Sequence, residues 1–195
     1  MARHRAEDRC YTLSGPGGLV SSLVVVSILM MGELAMAGTA AFAQDASEQT
    51  EIRAVVARYA EAWNRHDIAA LADILTDDTD WINIVGMHWR GKAAVLKGHD
   101  VYHRTFFRDT ALDFTDVDLR PITQDAVVAV VTIKVGDFTP PDGQPRIGTQ
   151  DRLSLVIAKR SGGWRIVHGH NTVIEPGAQR FDPVNSNWDS AGKAE

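Results

Sequence analysis

The sequence predicts an α+β fold in which helices pack on one side of a bent, mostly antiparallel sheet. Two segments with helical spacing of apolar residues come first, between residues 46 and 75. A strand-like run and a third helical segment follow, and four strand-like runs then occupy residues 112–175. Helices segregated to one face of hairpin-connected strands are typical of α+β domains. The predicted order is α-α-β-α-β-β-β-β, with a pocket between the helices and the curved sheet.

Residues 1–43 have the pattern of a secretory signal peptide. Arg3, Arg5 and Arg9 give a basic start, residues 19–31 are mostly apolar, and residues 41–43 read Ala-Phe-Ala, a pattern typical of cleavage sites. The alternative is an uncleaved anchor, but Glu33 interrupts the apolar run before it reaches the roughly 20 residues that a spanning helix needs. We therefore expect export, either to a periplasm or out of the cell.

The predicted mature chain is mildly acidic and has no thiol. The full chain has 20 Lys and Arg residues, 25 Asp and Glu residues and a net charge of −5, and removal of the leader leaves that net charge unchanged. An acidic chain without a basic block argues against nucleic acid or an anionic membrane surface as a partner. The only cysteine, Cys10, lies in the leader, which excludes disulfides, a thiolate nucleophile and a Cys-ligated zinc site from the domain.

The first two helices are predicted from apolar spacing and from their caps. Asp45 with Glu48 can form a capping box before the first helix. One buried stripe is expected along that helix, at Ile52, Val55, Val56, Tyr59 and Trp63. Asp67 is the predicted N-cap of a short second helix, which residues 76–78 end.

The remaining elements follow from β-branched and aromatic runs and from turn residues. Residues 80–85 predict a strand that ends at Gly86, and Gly91 opens a third helix to about residue 107. Strands are then predicted at residues 112–120, 126–135, 147–160 and 164–175. Residues 127–131 are apolar on both faces, as in a strand that is covered twice. The domain thus spans residues 44–175, and residues 176–195 are expected to form a poorly ordered tail.

This order resembles the nuclear transport factor 2-like superfamily of cone-shaped domains, which includes the SnoaL-like and ketosteroid isomerase-like proteins. The segments that resemble its SgcJ/EcaC branch most are residues 63–67 (WNRHD), 80–86 (DWINIVG) and 89–91 (WRG). The resemblance covers about residues 47–175 and implies a homodimer. Members of this branch often carry an oxidoreductase label, but the chain has no G-x-G-x-x-G phosphate loop and no redox cysteines, so no cofactor is predicted.

A comparison with ketosteroid isomerases within that superfamily implies a partial catalytic set. Their tyrosine falls on Tyr59, and their protonated aspartic acid is similar in position to Asp151. Their general-base aspartate falls on Asn83, and an amide cannot take up a proton at neutral pH. The resemblance therefore implies two oxygen-polarising groups without the carboxylate base.

The histidines are the predicted replacement for that base. His99 and His103 lie one turn apart on the third helix. His168 and His170 are expected to share one face of the last strand with Trp164 and Ile166, because side chains two residues apart point the same way. If that strand face is internal, the imidazoles can converge with Tyr59 and Asp151. An H-x-H strand with a further histidine can also bind zinc, although nothing fixes a third ligand. No metal is predicted.

Two function hypotheses follow from these residues. The first is an acid–base enzyme that isomerises, dehydrates or cyclises a small, partly apolar carbonyl or hydroxyl compound. The second is a non-catalytic ligand-binding or dimerisation module. The predicted catalytic residues are Tyr59, His99, Asp151 and His168. The predicted ligand-binding residues are Trp63, Trp81, Asn83, His103 and His170, and the alternative for the two tryptophans is that they only fill the core.

Overall fold

The computed structural model describes residues 45–185, and the predicted leader lies outside this range. The helices are α1 (Ala46–Asn64), α2 (Ile68–Ile74), α3 (Lys92–Arg104) and α4 (Pro176–Gln179). The strands are β1 (Leu75–Ile82), β2 (His88–Arg90), β3 (Leu112–Thr123), β4 (Ala126–Val135), β5 (Gln150–Arg160) and β6 (Gly163–Val173). None of the described helices is long and apolar enough to cross a membrane. The α+β prediction and the order of its main elements are confirmed.

Both predicted helix starts are confirmed by their caps. The Asp45 carboxylate accepts a hydrogen bond from the Glu48 backbone N–H at 2.8 Å, and the Asp67 carboxylate accepts one from the Ala70 N–H at 2.9 Å. The predicted stripe of α1 is buried along its whole length. This stripe packs against the inner face of the sheet and forms one wall of the core.

The WNRHD segment between α1 and α2 is held by its own side chains. Asn64 exchanges two hydrogen bonds with the backbone of Leu112, at 2.9 and 2.8 Å. His66 has a φ of 54° and places its ring nitrogens 3.0 Å from the Trp63 carbonyl and 2.9 Å from the Arg108 carbonyl. This sequence motif therefore joins the end of α1 to the segment before β3.

The sheet has the strand order β2-β1-β6-β5-β4-β3. Every neighbouring pair is antiparallel except β1 and β6, which run parallel, so the prediction of a mostly antiparallel sheet is confirmed. The core side of strands β4 and β5 is fully buried, as at Val131 in β4 and Leu155 in β5. Val128 and Val130 on the other face of β4 are half-buried, so within the described residues only one face of this strand is fully covered.

Several predicted boundaries differ from the observed ones. Strand β1 begins at Leu75 rather than at residue 80, because Leu75 pairs with Ile166 of β6, and residues 76–79 form an irregular stretch of the strand between this pair and the Asp80–His168 pair. Strand β2 was not predicted, since three residues are too few for a periodic signal. The first part of the predicted tail forms the short helix α4, whereas residues 186–195 lie outside the described range.

A β-bulge in β6 decides which side chains enter the core. Val156 of β5 pairs with His168 and Ile157 pairs with Ile166, so Val167 is an extra residue on β6. An extra residue reverses the inward and outward alternation beyond it. Ile166 therefore points inward, and so does Gly169, whereas His168 points to the outer face.

Candidate functional site

A partly open cavity of about 80 Å³ lies between the inner face of the sheet and helices α1 and α3. Its walls are mainly aromatic and aliphatic. Seven of the nine predicted site residues line it: Tyr59, Trp63, Trp81, Asn83, His99, His103 and Asp151. The structure therefore brings these seven residues around one hollow, and their roles stay predictions.

Tyr59 and His99 form a hydrogen-bonded pair in the cavity wall. The His99 Nδ1 lies 2.9 Å from the Val95 carbonyl oxygen, which can only accept, so Nδ1 carries the proton. The Nε2 lone pair then faces the Tyr59 hydroxyl, which donates to it across 3.4 Å. Burial raises the pKa of Tyr59 and lowers the pKa of His99 to about 4. At neutral pH the pair is a phenol beside a neutral imidazole.

His103 is the least satisfied polar group of the cavity wall. Its ring centre lies 4.9 Å from that of Trp63 and 4.5 Å from that of His66. Both of its ring nitrogens are buried without a hydrogen-bond partner in the part of the chain that the structure describes. Burial, with the nearby His99 and His66, lowers the pKa of His103 to about 4. A buried imidazole without partners costs stability, and such groups merit a functional explanation.

Asp151 supplies the carboxyl group of the site from the start of β5. Its side chain is 5% exposed, and the Thr149 hydroxyl donates to its Oδ1 at 2.8 Å. Burial raises the pKa of Asp151, and the hydrogen bond from Thr149 opposes this rise only in part. The environment thus favours the protonated carboxyl more than water does.

Trp81 forms one wall of the cavity and depends on a glycine. Its ring stacks on Tyr59 with centroids 5.4 Å apart, and its Nε1–H donates to the Asn171 side-chain oxygen at 3.0 Å. A Cβ on Gly169 would lie 2.3 Å from the Trp81 ring, so only glycine leaves room for the indole. Asn171 was not among the predicted site residues, and Gly169 inside a strand is the sequence signal that could have indicated the close approach.

Asn83 is held by hydrogen bonds to the neighbouring backbone. Its side-chain oxygen accepts hydrogen bonds from the backbone N–H groups of Val85, at 3.1 Å, and Met87, at 2.8 Å. Its amide nitrogen donates to the Tyr102 hydroxyl at 3.2 Å. Asn83 therefore fixes the turn before β2 and, through Tyr102, one side of the cavity.

Three aromatic lining residues were not predicted: Trp89, Tyr102 and Phe107. Trp89 packs onto α3, where a Cβ on Gly98 would lie 2.7 Å from its ring. Tyr102 and Phe107 come from the last turn of α3 and the residues just after it. Their aromatic character was visible in the sequence, but their direction depends on how α3 lies over the short strand β2.

His168 and His170 do not line the cavity. The expectation that they share a face with Trp164 and Ile166 was wrong, because the bulge at Val167 turns both histidines to the outer face. There the His168 Nδ1–H donates to Asp80 Oδ1 at 2.6 Å, and the His170 side chain is exposed. Within residues 45–185, no three His, Cys, Asp or Glu side chains are arranged to hold a metal ion.

This fold and cavity define a nuclear transport factor 2-like domain with a small-molecule pocket, and the predicted superfamily is confirmed. The family model of the SnoaL-like domain matches residues 52–175, so the chain belongs to the SnoaL-like family. Assignment to the SgcJ/EcaC branch stays a prediction.

Solved structures agree with this family. An uncharacterised protein with a cystatin-like fold from Caulobacter vibrioides is 36% identical, with a TM-score of 0.68 over 71% of this chain and 97% of that one. A nuclear transport factor 2-like superfamily protein from Salmonella enterica is 24% identical, with a TM-score of 0.58 over 65% and 91%. A candidate dehydratase of that family from Streptomyces avermitilis is 15% identical, with a TM-score of 0.58 over 66% and 98%. The last two likenesses show the fold alone. No curated protein matches this sequence.

Proposed function

We propose that this protein is an acid–base enzyme that acts on a small, partly apolar carbonyl or hydroxyl compound. The observation that carries the proposal is the Tyr59–His99 pair, a proton donor and a proton acceptor in contact inside a mainly aromatic cavity. Asp151 lines the same cavity with a raised pKa. Titratable groups with perturbed pKa values in a concave pocket are typical of catalytic sites.

Tyr59 and Asp151 are the proposed donors to the substrate oxygen. The 3.4 Å separation between the Tyr59 hydroxyl and His99 Nε2 is long for an O–H donor, so little is lost when that hydroxyl turns to a substrate. Asp151 in its protonated form can donate a second hydrogen bond to the same oxygen. Donors aimed at developing negative charge in a site with little water stabilise an enolate-like transition state.

His99 is the proposed base. Its Nδ1–H is held by the Val95 carbonyl, which leaves Nε2 free to take a proton from a carbon next to the substrate carbonyl. Burial is the cause of the low pKa of His99. Negative charge that develops on the substrate oxygen favours the imidazolium and raises that pKa during the reaction. Return of the proton to another carbon gives isomerisation. Transfer of that proton from His99 to a hydroxyl group on the next carbon, which then leaves as water, gives dehydration.

The cavity volume limits the substrate. A cavity of about 80 Å³ is smaller than the roughly 150 Å³ cavity that accommodates benzene. The reacting end must therefore be a small group of a few carbon atoms, and any larger part must extend through the opening. This space does not suit a fused polycyclic ring system without rearrangement of the aromatic walls.

Ligand binding without chemistry is the second candidate function. The apolar lining, and the burial that lowers the pKa of both His99 and His103, favour it because a neutral pocket can hold a neutral ligand without any proton transfer. The two candidates differ only in whether a bound compound is converted.

Isomerisation of pent-4-en-2-one to pent-3-en-2-one tests the proposal, because this small acyclic ketone suits the cavity and the reaction requires removal of a proton at C3 and its return at C5. The conjugated product is followed by its ultraviolet absorbance. We expect saturable turnover, and a loss of about 100-fold in Tyr59→Phe, which keeps the ring and removes the donor. His99→Gln is expected to lose a similar factor.

His170→Ala is the matched control, since this histidine is exposed on the outer face. It is expected to keep the wild-type rate. A rate equal to that of buffer, together with saturable quenching of tryptophan fluorescence by butanone, would show that the protein binds a small ketone without converting it. Turnover unchanged in both Tyr59→Phe and His99→Gln would contradict the assigned roles.

Export and homodimer formation are part of the proposal. The N-terminal sequence pattern supports export, which is tested by fractionation of the native host with N-terminal sequencing of the exported form. The half-buried apolar residues on the outer face of β4, such as Val128 and Val130, support pairing of two copies. Sedimentation at the monomer mass would contradict the homodimer.

A further inference from the structure

A second cluster of chemically active side chains lies on the outer face of the sheet, away from the cavity. It consists of Asp80 from β1, His88 from β2, and His168 and His170 from β6. Asp80 lies beside His168 in the parallel ladder, and the bulge at Val167 turns both histidines of β6 to this face. The proposed function uses none of these four groups.

Asp80 fixes the orientation of two imidazoles. Its Oδ1 accepts from the Nδ1–H of His168 at 2.6 Å, and its Oδ2 accepts from the Nε2–H of His88 at 2.5 Å. The Asp80 carboxylate accepts hydrogen bonds from both imidazoles, although Arg90 is its partner residue in the β1–β2 ladder. With Nδ1 protonated, the lone pair of His168 is on Nε2, directed away from Asp80.

A metal-binding histidine usually donates a hydrogen bond from one ring nitrogen to a carboxylate. Its other ring nitrogen then carries the lone pair that binds the metal. The support orients the ring and raises the basicity of the free nitrogen. Here the supported ring is about 29% exposed, so an ion in solution can reach it. His88 is supported in the same way from the other carboxylate oxygen.

His170 is the second possible metal ligand, close to His168. Its ring centre lies 6.5 Å from that of His168, with the ring planes 67° apart. In a tetrahedral site, zinc–nitrogen bonds of about 2.0–2.1 Å place two imidazole centres roughly 5.2 Å apart. The observed separation is larger, so the exposed His170 side chain must rotate toward His168 before both rings bind one ion.

We propose that His168 and His170, with Asp80 as the supporting carboxylate, bind one divalent transition-metal ion such as Zn²⁺ or Cu²⁺ on the outer face of the sheet. Two imidazoles suit these ions and do not suit Ca²⁺ or Mg²⁺, which require oxygen ligands. Water fills the remaining coordination positions. The site needs two protein ligands, so it is consistent with the lack of a ready set of three in the described residues.

Isothermal titration of the full-length, untagged and metal-free chain with Zn²⁺ tests the site, with Ca²⁺ as the control ion. We expect one Zn²⁺ per chain with micromolar affinity and no heat of binding for Ca²⁺. His168→Ala and His170→Ala are each expected to weaken zinc binding at least about tenfold. Asp80→Asn is expected to weaken it by about 10- to 100-fold, the usual effect of removing a supporting carboxylate.

Histidine side-chain NMR distinguishes this site from binding elsewhere. Zn²⁺ is expected to shift the ring signals of His168 and His170 and to leave those of His99 and His103, which line the cavity, unchanged. The His170 side chain is exposed, so His170→Ala is expected to fold and tests the proposal even where Asp80→Asn is unstable. Zinc affinity unchanged in His170→Ala and His168→Ala, or no binding by the wild-type chain below millimolar zinc, would overturn the proposal.

Discussion

The inner and outer faces of the sheet place the same kind of side chain in opposite environments. On the inner face, His99 is buried, contacts a phenol and a carbonyl, and has its pKa lowered to about 4 by burial. On the outer face, His168 is part-exposed and bonds to a carboxylate. The imidazoles on the inner side are suited to proton transfer in a mainly apolar pocket. Those on the outer face are suited to binding a cation. One extra residue in β6 decides which face His168 joins.

The largest expected effect that separates the two faces is a loss of stability as the pH falls from about 7 to about 5. The pKa values of His99 and His103 are lowered from 6.5 to about 4 in the folded chain. The unfolded chain therefore takes up protons in this range while the folded chain does not. Above the unfolded pKa of 6.5 both states are neutral and stability is not reduced. At pH 5 the difference in proton uptake lowers the free energy of unfolding by about 2 kcal/mol per histidine.

Urea unfolding at several pH values measures this loss. On the outer face, the pKa of Asp80 lies below its ordinary value of 3.8. Asp80 therefore changes the free energy of unfolding only at lower pH than this range. A free energy of unfolding that stays constant from pH 7 to 5 would show that the inner imidazoles titrate like exposed ones.

The next effect is steric and concerns the inner face alone. Gly169→Ala places a Cβ 2.3 Å from the Trp81 ring, so the indole or the strand must move. We expect a loss of about 2–3 kcal/mol in the free energy of unfolding, as for overpacked cores. Gly162→Ala is the control, since its Cβ would meet only the flexible end of Arg165. Equal stability of the two variants would contradict the placement of Trp81.

A smaller effect separates the two inner histidines from each other. His103→Leu removes a buried imidazole without partners and is expected to raise stability by about 1 kcal/mol. His99→Leu leaves the Tyr59 hydroxyl and the Val95 carbonyl without their partner and is expected to lower it by about 1–3 kcal/mol. Thermal unfolding of both variants measures the difference. A loss of stability in His103→Leu would mean that its ring has partners in solution.

The smallest effect is expected on the outer face. Asp80→Asn breaks hydrogen bonds between part-exposed groups, which contribute little in water, so we expect a loss below about 1 kcal/mol. Urea unfolding at neutral pH checks this value against the wild-type chain. A loss of several kcal/mol would show that the outer cluster holds the sheet edge together and that the two faces differ less than we infer.

Most of the fold could be predicted because local patterns agree with the tertiary structure. The stripe from Ile52 to Trp63 has helical spacing, and Asp67 is a helix cap in the sequence and in the structure. The start of β1 could not be predicted, because residues 76–78 read as a polar break and the strand extends back to Leu75 only through the pairing of Leu75 with Ile166 of β6, far along the chain.

The candidate site could be predicted in part for the same reason. Tyr59 and His99 lie on helix faces whose direction follows from periodicity. The direction of His168 depends on the bulge at Val167, and strand alternation alone gives the opposite face. Gly169 was the available signal, because a glycine inside a strand often marks a bulge or a close packing partner. The role of Asn83 required the position of the turn that it holds.

An NMR titration of the histidine ring signals between about pH 7.5 and 4 tests the division between the two faces most directly. The signals of His99 and His103 are assigned by their loss in His99→Leu and His103→Leu. The account predicts that both signals stay at their neutral positions until the pH approaches 4. Titration of both rings near pH 6.5, as in a solvated histidine, would contradict the buried, neutral imidazoles on which the proposed chemistry depends.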